Sequence, residues 1–200
     1  NGRDATILAL KTEEGLEALT TAIVNYGDDA KIKMLVSGVL GGIVEKNDVD
    51  VALAKLKQNG SELGAESDLA SNEVRNALEK LTAYSLSSDS AKWVVESGGL
   101  DEIIKILKTA AMGSDIPGQE AIISLCTGAI NELLQNPATR NQVLAKLSDK
   151  KMLKSLLTAI KMNPQVDPTS AMRLLQTLAS EKSLQSALVQ NGGTEAVVAL

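Results

Sequence analysis

Catalysis by proton transfer or nucleophilic attack needs groups that can be poised near neutrality, and this chain holds few of them. There is no histidine, which removes Ser-His-Asp and Cys-His nucleophile systems together with imidazole metal and haem sites. A single cysteine, Cys126, can neither close an intrachain disulfide nor build a thiolate metal site. It lies within Ile122-Ile-Ser-Leu-Cys-Thr-Gly-Ala-Ile130, an apolar helical stretch, and reads as a buried structural thiol rather than a nucleophile. Adjacent acids at Glu13-Glu14, Asp28-Asp29 and Asp101-Glu102 fall at expected helix starts, where carboxylates satisfy free amides and favour the dipole. Asp48-Val-Asp50 is placed alike and lacks the rest of a calcium loop. Gly38-Val-Leu-Gly-Gly42 is followed by no Gly-Lys-Ser/Thr; it reads as small residues that let two helices approach, with a kink, rather than as a phosphate loop. No catalytic constellation, metal site or cofactor site emerges, and a non-enzymatic role is expected.

Composition narrows the field further. Of 200 residues, 44% are hydrophobic and 22% charged, which excludes wholesale disorder. Phenylalanine is absent, and Trp93, Tyr26 and Tyr84 are the aromatics. The net charge of −5 gives no global electrostatic case for nucleic acid. The longest nearly uncharged apolar stretch, Met34 to Val44, is too short for a bilayer, which needs about 20 residues. Charge is uneven along the chain. Residues 140–161 hold Arg140, Lys146, Lys150, Lys151, Lys154 and Lys161 against Asp149, whereas residues 1–75 carry thirteen acids against eight bases. Solvated helix faces account for both; the functional alternative is a basic patch for an acidic or phosphorylated segment. No aromatics interleave with these lysines, so stacking on single-stranded nucleic acid is unsupported. Cysteine usage fits a reducing compartment, and the expected location is cytoplasmic, with the nucleus or cytoskeleton as alternatives.

Helices must position whatever this chain presents. Leu100, Ile103, Ile104 and Leu107 recur at i, i+3, i+4, i+7, as do Leu153, Leu156, Leu157 and Ile160, with Leu174, Leu175 and Leu178 repeating the spacing. Sustained alternation of period two is absent. Breaks fall at Gly27-Asp28-Asp29, Asn59-Gly60-Ser61, Ser87-Ser88-Asp89, Ser97-Gly98-Gly99, Gly113-Ser114-Asp115, Asn136-Pro137, Asn163-Pro164 and Asn191-Gly192-Gly193. The expected class is all-α, built of short helices with tight connections.

Self-similarity decides how those helices are organised. The run Trp93 to Leu107 aligns without a gap on Ala187 to Leu200, the Gly-Gly pairs 98–99 and 192–193 standing 94 residues apart. Gly15 to Ile23 echoes Gly99 to Leu107 at an offset of 84, and Leu144 to Leu156 precedes the last copy by 44. Halving the two longer offsets gives units of 47 and 42 residues. Each unit reads as a short helix, a glycine break, a second helix, a turn and a longer third helix. These residues resemble the armadillo family: Asn76 to Ser85 leads to Ser97-Gly-Gly-Leu100, and Ala171 to Ala179 leads to Asn191-Gly-Gly-Thr194, with 14 residues from Tyr84 to Gly98 and from Leu178 to Gly192. The resemblance implies one domain over residues 1–200, a right-handed α-solenoid of about four three-helix repeats. The register drawn is a partial repeat at 12–47, then 48–88, 89–136, 137–180 and a partial copy at 181–200. The second unit matches worst, its middle helix over 61–70 offering Leu63 and Leu69 as large apolar groups. Starting at Asn1 and stopping inside an apolar run, the sequence reads as a fragment of a longer chain.

The resemblance further implies a concave groove lined by third helices that binds an extended partner segment, and a role as scaffold or adaptor. Regulation of a small GTPase, as some armadillo proteins perform, is the alternative. The importin-α-like subset carries Trp and, four residues on, Asn in each third helix; here those positions read Glu79/Ala83, Ala129/Leu133 and Arg173/Thr177, so nuclear-signal binding is not expected. Candidate groove residues are Lys33, Ser37, Glu79, Lys80, Arg173 and Thr177. The candidate basic patch is Lys146, Lys150, Lys151 and Lys154. Gly98, Gly99, Gly192 and Gly193 are expected to turn the chain between first and second helices, with φ > 0 or close backbone approach; Gly113 is expected to sit in a looser connection. The expected partner is a protein or peptide segment, acidic rather than lysine-rich, with a larger assembly as a further expectation.

Overall fold

The structure, a computed structural model, describes residues 8–26, 29–63, 68–113, 116–163 and 166–200. Gly27, Asp28, Ser114, Asp115, Pro164 and the stretch 64–67, which the turn and middle-helix expectations include, lie outside the described residues. Among the described residues the chain is helical and holds no strand. The helices are α1 (Glu13–Tyr26), α2 (Ala30–Ile43), α3 (Lys46–Gly60), α4 (Asp68–Tyr84), α5 (Ser88–Glu96), α6 (Gly99–Met112), α7 (Gln119–Gln135), α8 (Arg140–Leu147), α9 (Lys150–Met162), α10 (Pro168–Ser180), α11 (Lys182–Gln190) and α12 (Gly193–Ala199). No described helix is long and apolar enough to cross a membrane.

Acids start several of these helices, as amide donors left open in a first turn require. Asp29 accepts from the amides of Lys31 and Ile32 at 2.8 and 3.2 Å. Asp149 does the same for Lys151 and Met152 at 2.9 and 3.0 Å. Glu45 and Asp48 form a reciprocal capping box at the start of α3, the Glu45 amide donating to Asp48 at 2.8 Å. Asp101 and Glu102 fall in the first turn of α6.

The helices pack neighbour against neighbour. α4 lies between α1 and α7, and α7 in turn packs against α10; alongside them α3, α6, α9 and α12 follow one another in contact. The shorter α5, α8 and α11 join these two rows at their ends. All three apolar stripes read from the sequence are buried in the resulting core. Leu78, Leu81, Leu100, Ile103, Ile106, Leu107, Ile122, Ile130 and Leu133 are fully enclosed there. Burial of each such side chain contributes roughly 1.5–3 kcal/mol.

Several polar ties between helices span similar sequence distances, although Lys33 in α2 meets Glu132 in α7 across 99 residues and Lys55 in α3 meets Glu73 in α4 across 18. Ser97 donates to Asp50, Ser37 to the Leu86 carbonyl and Asn136 to the Ser85 carbonyl, across separations of 47, 49 and 51 residues. Ser124 with Asp167, Lys146 with Asp101, Thr177 with Asn131 and Asn163 with the Ala111 carbonyl are 43, 45, 46 and 52 apart. Arg140 meets Glu181 across 41.

The paired glycines have two different reasons to be glycine. Gly98 and Gly192 stand before α6 and α12 at φ 83° and 93°, in the left-handed region that costs other residues roughly 1–2 kcal/mol. Their successors need the missing side chain instead. A Cβ at Gly99 would lie 2.6 Å from the Val94 carbonyl, and one at Gly193 would lie 2.8 Å from the Leu188 carbonyl.

Four sequence expectations change. The boundary drawn at 47/48 falls inside α3, which Glu45 and Asp48 cap earlier, and that at 88/89 falls inside α5, whose N-cap is Ser87. Where described, the middle helix expected over 61–70 is a turn at Ser61–Leu63 followed by the start of α4. Gly38 and Gly42 face open space, so of that run Gly41 alone marks a close approach, where a Cβ would lie 3.1 Å from Oγ of Ser87 at the start of α5. Gly113 is tighter than expected, since a Cβ there would sit 2.5 Å from Ile116 Cδ1.

Candidate functional site

A cavity of 730 Å³ opens where the end of α1 and start of α2 face the end of α4, α7 and α10. Lys33 extends from the start of α2 to α7, its Nζ 2.5 Å from Glu132 Oε2. On the far side, Ser124 of α7 donates to Asp167 at 2.6 Å. Asp167 also accepts from the Ser170 amide at 3.1 Å and caps α10. It does so at φ 41°, a left-handed conformation that Asp tolerates when its short side chain bonds locally. Burial raises the Asp167 pKa, but the bonds from Ser124 and Ser170 and the charge of Arg173 outweigh it and hold the carboxyl below its ordinary value. Arg173, one turn into α10, is exposed at the rim.

Two cations and two anions on three helices thus frame this cavity, with Gly128 between them. A Cβ at Gly128 would meet nothing within 4 Å, so this stretch of α7 is left unfilled. Such a lining offers hydrogen-bond and charge partners to a polar chain. Among the described residues no cluster of three or more His, Cys, Asp or Glu could hold a metal ion. Cys126 is buried inside α7, and burial pushes its thiol pKa up, away from the reactive thiolate.

The six groove candidates are not brought to one place. Lys33 and Arg173 line the 730 Å³ cavity. Glu79 and Lys80 line a separate cleft of 410 Å³ between α1, α3 and α4, where burial raises the Glu79 pKa against the opposing charge of Arg75. Ser37 donates at 2.9 Å to the Leu86 carbonyl beside the first cavity. Thr177 donates to its own helix at Arg173 O, 2.9 Å, and lies 3.5 Å from Asn131 Oδ1. The positions matched on α7, Ala129 and Leu133, are fully buried, as is Ala83 on α4. On α7 the exposed strip is one residue earlier in register, at Gly128 and Glu132, because Ile130, Leu133 and Leu134 take the core face.

The basic patch also divides. Lys146 pairs with Asp101 of α6, whereas Lys151 and Lys154 line a third cleft and Lys150 is exposed beside it. Sequence reasoning missed Glu132, Asp167 and Gly128 in the first cavity. A signal existed for Asp167: Asp-Pro at 167–168 followed by a helical run is a start signature. For Glu132 and Gly128 none did, because facing on α7 depends on which side of a largely apolar helix is covered. Comparison with protein-family models, with curated proteins and with solved structures finds no match for the chain.

Proposed function

We propose that the chain is an armadillo-like α-solenoid that binds an extended segment of a partner protein along its third-helix row, acting as a non-enzymatic scaffold. In this reading α2–α3–α4, α5–α6–α7 and α8–α9–α10 are successive units, α1 is the third helix of a preceding unit and α11–α12 open the next. The side-chain ties at separations of 41 to 52 residues support the unit length. Left-handed glycines between first and second helices in two units support its internal plan. The register then differs from one that splits 12–47 from 48–88, since 30–84 forms a single unit with a long second-to-third connection.

The 730 Å³ cavity carries the binding assignment. It lies on the third-helix row, where the fold leaves α7 uncovered at Gly128, and its alternating charges suit an extended backbone with a carboxylate reaching Arg173. A guanidinium–carboxylate contact of that kind contributes on the order of 1.5–3 kcal/mol.

The test uses peptides selected from a random library on the 200-residue chain. Gly128→Leu projects a side chain into the open space of the cavity and removes a helix-interior glycine, so it should raise stability by about 1 kcal/mol while abolishing peptide binding. Arg173→Glu should weaken binding tenfold or more at low salt with the melting temperature unchanged. Unchanged affinity in both variants would remove the groove assignment, and accelerated nucleotide release from a small GTPase would move the reading to a regulator.

A further inference from the structure

The third cleft, of 440 Å³, lies between α6 and α9 and shares no lining residue with the groove. From α9 it takes Lys151, Lys154, Ser155 and Thr158, spaced i, i+3, i+4, i+7 and therefore on one helix face. From α6 it takes Lys108, Ala111 and Met112, at i, i+3, i+4 on the facing side. Its floor is apolar, with Ala111 and Ala159 buried and Met112 left 60% exposed.

Among the described residues no carboxylate lies within 4 Å of Lys108, Lys151 or Lys154, although Lys33, Lys46, Lys55, Lys105 and Lys146 each have one. α9 carries four lysines and no acid in a chain of net charge −5. Lys150 and Lys151 stand in its first turn, where the helix dipole disfavours cations. Folding does not ask for that arrangement.

We propose that this cleft docks an acidic protein segment carrying one apolar side chain, in addition to whatever the groove binds. Charge complementarity selects the class: three lysines with no carboxylate within 4 Å among the described residues face the partner's carboxylates, and Met112 with the buried alanines receives an apolar anchor. Lysines act as unforked point charges, which suits scattered Asp and Glu side chains. The strip from residue 151 to 158 spans roughly 10 Å of helix, the length of about three extended residues, so carboxylates two or three positions apart would reach all three lysines. The shaped apolar floor and the absence of interleaved aromatic groups set this cleft apart from a flat polyanion-binding face.

The probe is a fluorescein-labelled peptide, Gly-Glu-Leu-Glu-Glu-Gly, titrated against the 200-residue chain at about 50 mM salt by fluorescence anisotropy. Saturable binding should weaken at least tenfold in the triple variant Lys108→Glu, Lys151→Glu, Lys154→Glu, and severalfold on raising salt to about 200 mM. Replacing the peptide's Glu by Gln should cost at least tenfold without altering the protein, which keeps the test decisive if the triple variant unfolds. Arg173→Glu and Gly128→Leu should leave this binding unchanged, so its failure is separable from failure of the groove. Equal binding of the Gln peptide, or undiminished binding to a folded triple variant, would overturn the proposal. So would binding of anionic lipid vesicles or of single-stranded DNA through these lysines while the acidic peptide fails to bind.

Discussion

Replacing Gly98 and Gly99 separately should expose two unlike costs at adjacent positions. At Gly98 a new Cβ meets nothing within 4 Å, but φ is +83°, so Gly98→Ala is penalised for backbone conformation alone, by roughly 1–2 kcal/mol. For a chain of this size, that lowers the melting temperature by roughly 2–8 °C. Asn visits the left-handed region more readily than Ala, so Gly98→Asn should lose no more than about half as much. At Gly99 φ is not positive, but a Cβ would lie 2.6 Å from the Val94 carbonyl, 2.7 Å from Val94 Cγ1 and 3.1 Å from Leu53 Cδ2. Backbone must move there, and overpacking of this kind costs roughly 1–3 kcal/mol.

The order of the two replacements should therefore invert: Asn is tolerated better than Ala at the first glycine, and Ala better than Asn at the second. Urea denaturation followed by circular dichroism measures this, with the midpoint compared at constant slope. If Gly98→Asn proves as damaging as Gly98→Ala, the site is limited by space rather than by torsion. A Gly99→Asn variant as stable as Gly99→Ala, or more so, would refute the close approach of α6 to the end of α5.

Two further outcomes follow from bonds between helices. Asn136 is buried and donates to the Ser85 carbonyl at 3.0 Å, so Asn136→Ala should lower stability by about 1–3 kcal/mol in urea denaturation. Asn136→Asp should not rescue it, because an ionised carboxylate cannot donate. The Asp167 pKa is held below the ordinary value of 3.8, so its contribution is fully present above that value and is lost as pH falls through the lower folded one. Acid titration of the melting temperature should show Asp167→Asn less stable than the parent at about pH 6, the gap narrowing below about pH 4. A gap constant with pH would remove the carboxylate from the account.

Helical class and core stripes were legible because burial imposes the 3.6-residue period directly on the apolar residues of α6, α9 and α10. The Gly-Gly turns were legible because two copies stood in equivalent phrases. What the sequence hid was facing. α7 is apolar on most of its circumference, so periodicity left its exposed strip undetermined by one residue. That single step separates Ala129 and Leu133, the positions matched to the Trp and Asn pair, which are buried, from Gly128 and Glu132, which line the cavity. Lys108 was hidden for a related reason, since it joins Lys151 and Lys154 only once α6 and α9 are side by side. Gly118, at φ 67° before α7, gave no doubled glycine and no partner phrase to reveal it.

The polar ties fix helix register where apolar packing leaves it loose. α3, α6, α9 and α12, which follow one another in contact, begin at residues 46, 99, 150 and 193, so their spacing contracts along the chain. Apolar packing alone specifies such a stack loosely, because Leu, Ile and Ala can slide by a helical turn at modest loss of buried area. A hydroxyl or carboxamide aimed at one carbonyl cannot. Asn163 at Ala111 O fixes a side chain to the last turn of α6, and Ser37 at Leu86 O and Asn136 at Ser85 O fix side chains to the short connection between α4 and α5. There the carbonyls lack intrahelical donors and a displaced partner would leave them unmet.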